Sequence, residues 1–398
     1  MKDYPIMPSS ATWDQCVGEG IYRTDRPERK VPTLDPAQYL SEDAMHQLNS
    51  TLGIGTNRVL DDESIMRPET IVVIPSNRPE RLEPWLKAWA KIWDMPRKPT
   101  VYIIMDAPKP FISSGILQTI YPLTFCFTHA EIDRDLGDNG VCIDRFSPGV
   151  RSYGIWKAAQ QHPVMIWTTD DDCLPHDGSD PVVAHHDILF AERCLNKWFP
   201  LISEDMDGIQ VLHRGHPYEE RERKGTLPVL NHGLVTGMPD IDAVTQLHTG
   251  ELDVEEKDTT LQVFRSLYFP MSIQNVAFKT EIARLMYLPK LPDGMKRWSD
   301  IWCGLVMKKI CDAHGLPVTS GAPCVHHSRA SNVWANLKQE WAGYEVHERL
   351  WKVIDGVRLE GKDFGPDYLR IAEAIAGEFP ELAVIAEGMR GWAKLWKC

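Results

Sequence analysis

From Glu69 onward the chain alternates short apolar runs with amphipathic stretches. TIVVIP (70–75) is a β-branched run bounded by proline, and it predicts a strand. PERLEPWLKAWAKIW follows with apolar residues at helical spacing and Pro79 in its first turn, which predicts a helix. TVYIIMD (100–106), LTFCFT (123–128) and VMIWTT (164–169) read as further strands, and SPGVRSYGIWKAAQQ (147–161) as a second helix. Strands alternating with helices imply crossover units, hence an α/β fold whose central sheet is mostly parallel and flanked by helices.

The pattern divides the chain into three parts. Residues 1–68 are rich in Pro, Asp, Glu and Ser and are expected to form an irregular N-terminal arm. Its GIGTN stretch lacks the full dinucleotide-binding glycine pattern and a preceding strand. The main domain is expected over 69–345, with a helix near 181–197, a loop-rich region to about 268 and a helix in WSDIWCGLVMKKICDAHG (298–315). PDYLRIAEAIAGEF and ELAVIAEGMRGWAKLWK give residues 346–398 the look of a tail of amphipathic helices packed on the body or on another subunit.

In open sheets of this kind ligands bind beyond the carboxyl ends of the strands. Three such ends are polar here. PSNRPE, with Pro75, Asn77 and Arg78, follows the first strand, Asp106 the second, and Asp170, Asp171 and Asp172 the fourth. Adjacent carboxylates repel and are costly to desolvate, so this triplet needs open water or a cation. In an extended segment Asp170 and Asp172 point the same way, as two oxygen ligands for a hard divalent ion such as Mn²⁺ or Mg²⁺, and Asp171 points to protein groups. Such an ion would neutralise a diphosphate and stabilise it as a leaving group. A histidine of the later HHSRASN segment, His327, is a candidate to complete the shell, while Arg78, Arg151, Arg214 and Arg297 are candidates to meet an anionic substrate.

Composition narrows the partners. Of 398 residues, 43% are hydrophobic and 25% charged, ordinary values for a globular protein, and 43 basic against 56 acidic residues leave a net charge of −13. That balance repels nucleic acid and anionic membranes unless basic groups cluster locally. Nine cysteines without a CxxC pair read as reduced thiols, no stretch reaches the about 18 apolar residues of a membrane span, and the start MKDYPIMPSSATWDQ has no signal-peptide core, so a cytoplasmic protein is expected. No P-loop, HExxH or GxSxG motif occurs, which argues against ATPase, zincin and α/β-hydrolase chemistry.

WTTDDDCLP, HRGHPYEERE, NHGLVTGMPDIDAVTQL, RWSDIWCGLVMKKICDAHGLPVTSGAP and HHSRASNVWANLKQE, in this order, resemble successive signatures of the reversibly glycosylated polypeptides, the UDP-arabinopyranose mutases of plants. The resemblance covers about residues 69–345. It implies a GT-A-like, Rossmann-like fold that holds a UDP-sugar through a divalent metal at the triplet. It also implies that Arg214 is the reversibly glycosylated arginine and that Arg221 is linked to activity; Asp171, in the triplet, is a further catalytic candidate. Asp106 matches a uridine or ribose contact, and Arg151 matches a basic residue before the triplet. His232, Asp240, Asp242, Arg297, Asp300, Ser328 and Asn332 fall in the matching segments and are expected to contact substrate. Oligomers are common in the family. The arm, the charged run EERERKG, NVAFKTE and everything beyond about residue 345 depart from the family pattern.

Three readings share this donor site. The first is a mutase that interconverts UDP-arabinopyranose and UDP-arabinofuranose, with reversible self-glycosylation. The second is a metal-dependent glycosyltransferase with a separate acceptor, either a glycan, a protein or a modified DNA base, the last opposed by the net charge. The third is a non-enzymatic sugar-nucleotide scaffold, which the presence of the triplet, Arg214 and His327 argues against.

Overall fold

The structure, a computed structural model, describes residues 69–93, 98–176, 178–190, 202–204, 210–212, 227–250, 252, 254, 259–328 and 332–396. The expected arm, Arg214 and Arg221 lie outside the described residues. In chain order the first half runs β1 (Thr70–Ser76), α1 (Pro79–Ala90), β2 (Thr100–Met105), α2 (Ser114–Ile120), β3 (Thr124–Phe127), α3 (His129–Leu136), α4 (Arg151–Ala159), β4 (Met165–Thr169), β5 (Cys173–Pro175) and α5 (Pro181–Phe190). After a short antiparallel pair, β6 (Ile202–Glu204) with β7 (Gln210–Leu212), come β8 (Leu230–Gly237), α6 (Ala243–Thr249), β9 (Leu261–Val263) and β10 (Asn275–Lys279). The chain continues with α7 (Ser299–Ala313), β11 (Val318–His327), α8 (Val333–Gly356), α9 (Phe364–Glu378) and α10 (Ala383–Lys394).

The main sheet has the order β3-β2-β1-β4-β10-β8-β11-β5, with β9 beside β11. Its first four strands are all parallel, as the alternating pattern requires, and β8 and β11 form a second parallel pair. β10 runs against both neighbours and joins the two parts. The region read as loop-rich to about 268 thus contains β8, α6 and β9 among its described residues.

β1 explains why its sequence is apolar without a gap. Ile71 and Val73 face one buried cluster and Val72 and Ile74 the other, and all four are fully buried. On the second face, Trp85, Trp89 and Trp93 of the α1 segment pack with Trp167 and Tyr121. The same tryptophans reach the triplet loop, where Trp85 Nε1 donates to the Asp170 carbonyl at 3.1 Å and Trp89 Nε1 to that of Cys173 at 3.1 Å. On the first face, Gly154 lets α4 press against the sheet, since a Cβ there would lie 2.5 Å from Val73 and 2.7 Å from Ile104. Leu350 and Ile354 of α8, Tyr368 of α9 and Trp392 of α10 share that first cluster with Val276 and Phe278 of β10. Helix α8 also runs unbroken through residue 345. Among the described residues no helix is long and apolar enough to cross a membrane, and Cys126, Cys142, Cys173, Cys303 and Cys311 are thiols.

One polar network is sealed beneath the sheet's centre. Asn275 Oδ1 accepts from Trp167 Nε1 at 3.0 Å and from His185 Nε2 at 2.9 Å, while its Nδ2 donates to the carbonyls of Leu234 and Pro323. Asn231 Nδ2 faces His185 Nδ1 at 2.9 Å, which makes the imidazole neutral with its proton on Nε2. Burial lowers the pKa of His185 to about 4 and that of the buried His232 to about 4. Both bind their proton more tightly unfolded, near 6.5, so stability is complete above about pH 6.5 and falls as pH drops toward 4. Urea unfolding at pH 7.5 and 5.0 should therefore show a loss of about 2 kcal/mol per histidine, and a flat profile between these values contradicts the assignment.

Candidate functional site

The sheet order makes the site a consequence of topology. β1 connects onward to β2 on one side, whereas β4 lies on its other side, so the crossovers diverge and leave a crevice beyond the carboxyl ends of β1 and β4. Pro75, Ser76, Asn77 and Arg78 end one strand, and Asp170, Asp171 and Asp172 end the other. All line one cavity of about 520 Å³.

Each carboxylate of the triplet has its own compensation. Asp171 is enclosed in the wall, where its Oδ2 accepts from Ser76 Oγ at 2.5 Å and from Arg78 Nε at 3.2 Å and its Oδ1 from Arg78 Nη2. Arg78 Nη1 also donates to Asp172 Oδ2 at 3.0 Å, so one guanidinium spans two carboxylates. Asp170 accepts from Arg151 Nη2. Arg151 is itself buried and fixed by the carbonyls of Ile273 and Thr169, each at 3.3 Å. It stands at the first residue of α4, where Ser147 caps the preceding turn by accepting from Gly149 N.

His327, the last residue of β11, approaches Asp172 Oδ1 through Nε2 at 3.6 Å, and its Nδ1 donates to the Met238 carbonyl at 3.0 Å. Burial opposes ionisation of Asp172, but the hydrogen bond and charge of His327 and the charge of Arg78 outweigh it and hold the carboxyl well below its usual range. His327 is raised in turn, since the Asp172 carboxylate overcomes the imidazole's own burial. Burial pushes Asp171 up, with Ser76 and Arg78 opposing.

The far wall is arranged differently. Arg297 is shared between Glu340 at 2.7 Å and Asp240 at 3.3 Å. Asp300, in the first turn of α7, accepts from the Ile301 and Ile273 backbone N–H groups at 3.0 and 3.4 Å. Burial, and after it the charge of Asp240, push its carboxyl up to about 7. Toward the other end, Asp106 accepts from His129 at 2.7 Å and from the Phe146 N–H at 2.8 Å.

The donor chemistry suits a divalent ion in part. Asp172 and His327 converge, and the Nδ1 bond to Met238 fixes the ring so that Nε2 faces the carboxylate, as metal-binding imidazoles are commonly oriented. Asp170 is turned to Arg151 instead, and among the described residues no three His, Cys, Asp or Glu side chains are grouped to hold an ion.

Of the residues expected from sequence, the cavity wall also takes in Asp106, Arg151, Asp240, Arg297, Asp300, His327 and Asn332. Three others are not brought to it. His232 is buried on β8 against Ser320 Oγ at 2.8 Å, because its register faces β11. Asp242 caps α6 by accepting from Thr245 N at 3.0 Å. Ser328 donates its N–H to the Asp172 carbonyl at 3.4 Å, a backbone role. Sequence reasoning missed Ser76, Phe146, Lys296 and Gln274 in the wall. Ser76 has a usable signal, as it sits inside the PSNR segment between Pro75 and Asn77.

The likeness to known proteins is consistent along the chain. The family model described as reversibly glycosylated polypeptide matches residues 65–398, so the match continues through the C-terminal helices beyond the end expected near 345. UDP-arabinopyranose mutase 3 of Arabidopsis thaliana is 30% identical over 288 residues, which cover 68% of this chain and 77% of that protein. UDP-arabinopyranose mutase 1 of the same plant is 28% identical over 363 residues, 87% of this chain and 96% of that protein. Among solved structures, S. aureus TarS 1-349 in complex with UDP-GlcNAc is 12% identical with a TM-score of 0.41, covering 82% of this chain and 79% of that one. With a family match over 65–398, the chain belongs to the reversibly glycosylated polypeptide family.

Proposed function

We propose that the protein is a UDP-arabinopyranose mutase, which converts the pyranose to the furanose form while keeping the same nucleotide. The observation that carries this reading is the convergence of the acidic triplet with Arg78, Arg151, Arg297 and Lys296 in one cavity, in a chain of this family. A sugar diphosphate brings negative charge, and a cavity that also holds fixed carboxylates must supply cations to receive it. Arg78 and Arg151 do so at the triplet end, Arg78 oriented by Asp171 and Asp172, and Arg151 by Asp170 and the carbonyls of Ile273 and Thr169. Asp171, saturated by Ser76 and Arg78, serves to position that guanidinium.

In the reaction the bond between C1 and the diphosphate oxygen breaks, with its electron pair leaving on the diphosphate. The Arg214 nitrogen bonds to C1 and loses a proton; O5 then leaves C1 with its bonding pair as a C1–N double bond forms, O4 adds to C1 in its place, and the nitrogen departs with its bonding pair and regains its proton. The diphosphate then takes C1 back. O4 gives up a proton and O5 gains one, so a group that exchanges protons near neutrality is needed. Asp300, pushed up to about 7, suits that work. Arg214 is the proposed site of transient attachment of the sugar, with Arg221 in support; a guanidinium is a weak nucleophile in ordinary surroundings and must be activated there. Asp172 and His327 would hold Mn²⁺ or Mg²⁺, with Asp170 joining them once released from Arg151, and the ion would screen the diphosphate and stabilise the charge it gains.

Incubating the protein with UDP-arabinopyranose and Mn²⁺ should yield UDP-arabinofuranose without any acceptor, read by chromatography of the nucleotide sugars. Conversion or hydrolysis that depends on an added acceptor overturns the mutase reading. Intact mass after the same incubation should rise by one pentosyl group, and Arg214→Ala should abolish that adduct. For the ion, Asp172→Asn should weaken Mn²⁺ binding, measured directly by titration, by about tenfold or more, and equal affinity in the variant removes Asp172 from the ligand set.

A further inference from the structure

Six buried polar side-chain atoms among the described residues have no hydrogen-bond partner, and two of them, Ser272 Oγ and Gln274 Oε1, belong to the residues on either side of Ile273. Ile273 is the joint between the two walls of the cavity. Its carbonyl accepts from Arg151, the partner of Asp170, and its N–H donates to Asp300. Gln274 is the next residue and lines the same cavity. The residue after it, Asn275, has every amide bond satisfied within the sealed network. Two neighbouring amides of similar chemistry thus have opposite states, one saturated inside the protein and one with its oxygen unmatched within the cavity wall.

A buried amide oxygen without a donor is unfavourable, and it is tolerated where a ligand meets it. We infer that Gln274 is a sugar-contacting residue whose carboxamide pairs with a hydroxyl of the pyranose when the diphosphate lies at the triplet, and that it sets which sugar nucleotide is held. This rests on the reading of the cavity as a UDP-sugar site. The position fits the task, since Gln274 lines the same cavity as the triplet and Asp300 and directly follows Ile273, whose backbone bonds to both Arg151 and Asp300. The chemistry fits as well: a hydroxyl both donates and accepts, and a carboxamide answers in both senses without adding charge beside Asp300 and Asp170. Wall groups that hydrogen-bond a substrate hydroxyl discriminate far more sharply than apolar walls do.

The test compares UDP with UDP-arabinopyranose by isothermal titration, using the full chain with Mn²⁺, in the wild type, in the near-isosteric Gln274→Met and in Gln274→Ala. The expected result is a UDP affinity within about twofold of wild type in both variants, with UDP-arabinopyranose weakened about tenfold. Equal weakening of both ligands would mark Gln274 as a structural wall residue and overturn the inference. So would variants that keep the wild-type preference for the sugar nucleotide, an outcome that leaves the proposed function standing. A wild-type chain that binds neither ligand removes both readings together.

Discussion

Three consecutive carboxylates at the closed end of a strand must be compensated, and the site is organised by where that compensation comes from. Arg78 and Ser76 arrive from the end of β1, Arg151 from the start of α4 and His327 from the end of β11. Removing one partner of such a buried pair is costly, because the other charge stays behind unanswered. The fold is thereby required to bring three elements, spread over the 249 positions from Arg78 to His327, to the end of β4, and the α1 indoles hold the backbone there through the carbonyls of Asp170 and Cys173.

The same residue type takes two states in this cavity. Asp172 stays ionised because His327 and Arg78 outweigh its burial, whereas Asp300 is pushed up because burial and Asp240 act together and Arg297 is shared with Glu340. Environment alone separates them. One end of the cavity is therefore built around permanent charge and the other around an exchangeable proton, a division suited to handling a diphosphate and a sugar side by side.

Much of this was legible in the sequence. The first four strands and their helices announced themselves through continuous apolar runs, since strands buried on both faces have no polar alternation to confuse them. The triplet, Arg78 and Arg151 were visible because charge at the end of such a run is conspicuous. The second half was harder. β10 is only five residues long, β8 carries Asn231, His232 and Gly233 within its run, and β11 contains Gly321 and Pro323, which ordinarily demote a strand. A register irregularity between Gly321 and Val325 accommodates them. Gln274 had no signal of its own, because the strand it precedes was not recognised, and His232 looked functional by its segment although its side chain serves the pairing of β8 with β11.

The Asn275 network carries a further consequence for how the protein comes into being. Its side chain joins Trp167, 108 residues earlier, to Pro323, 48 residues later, through hydrogen bonds that close only when all the participating strands are present. In order of sequence the four parallel strands and the triplet precede β11, so they are synthesised before the His327 that answers Asp172. The part of the cavity wall that His327 forms depends on the pairing of β11 with β8. The cavity is lined by residues from Pro75 to Gln339, so a product truncated before β11 lacks His327 and part of the wall.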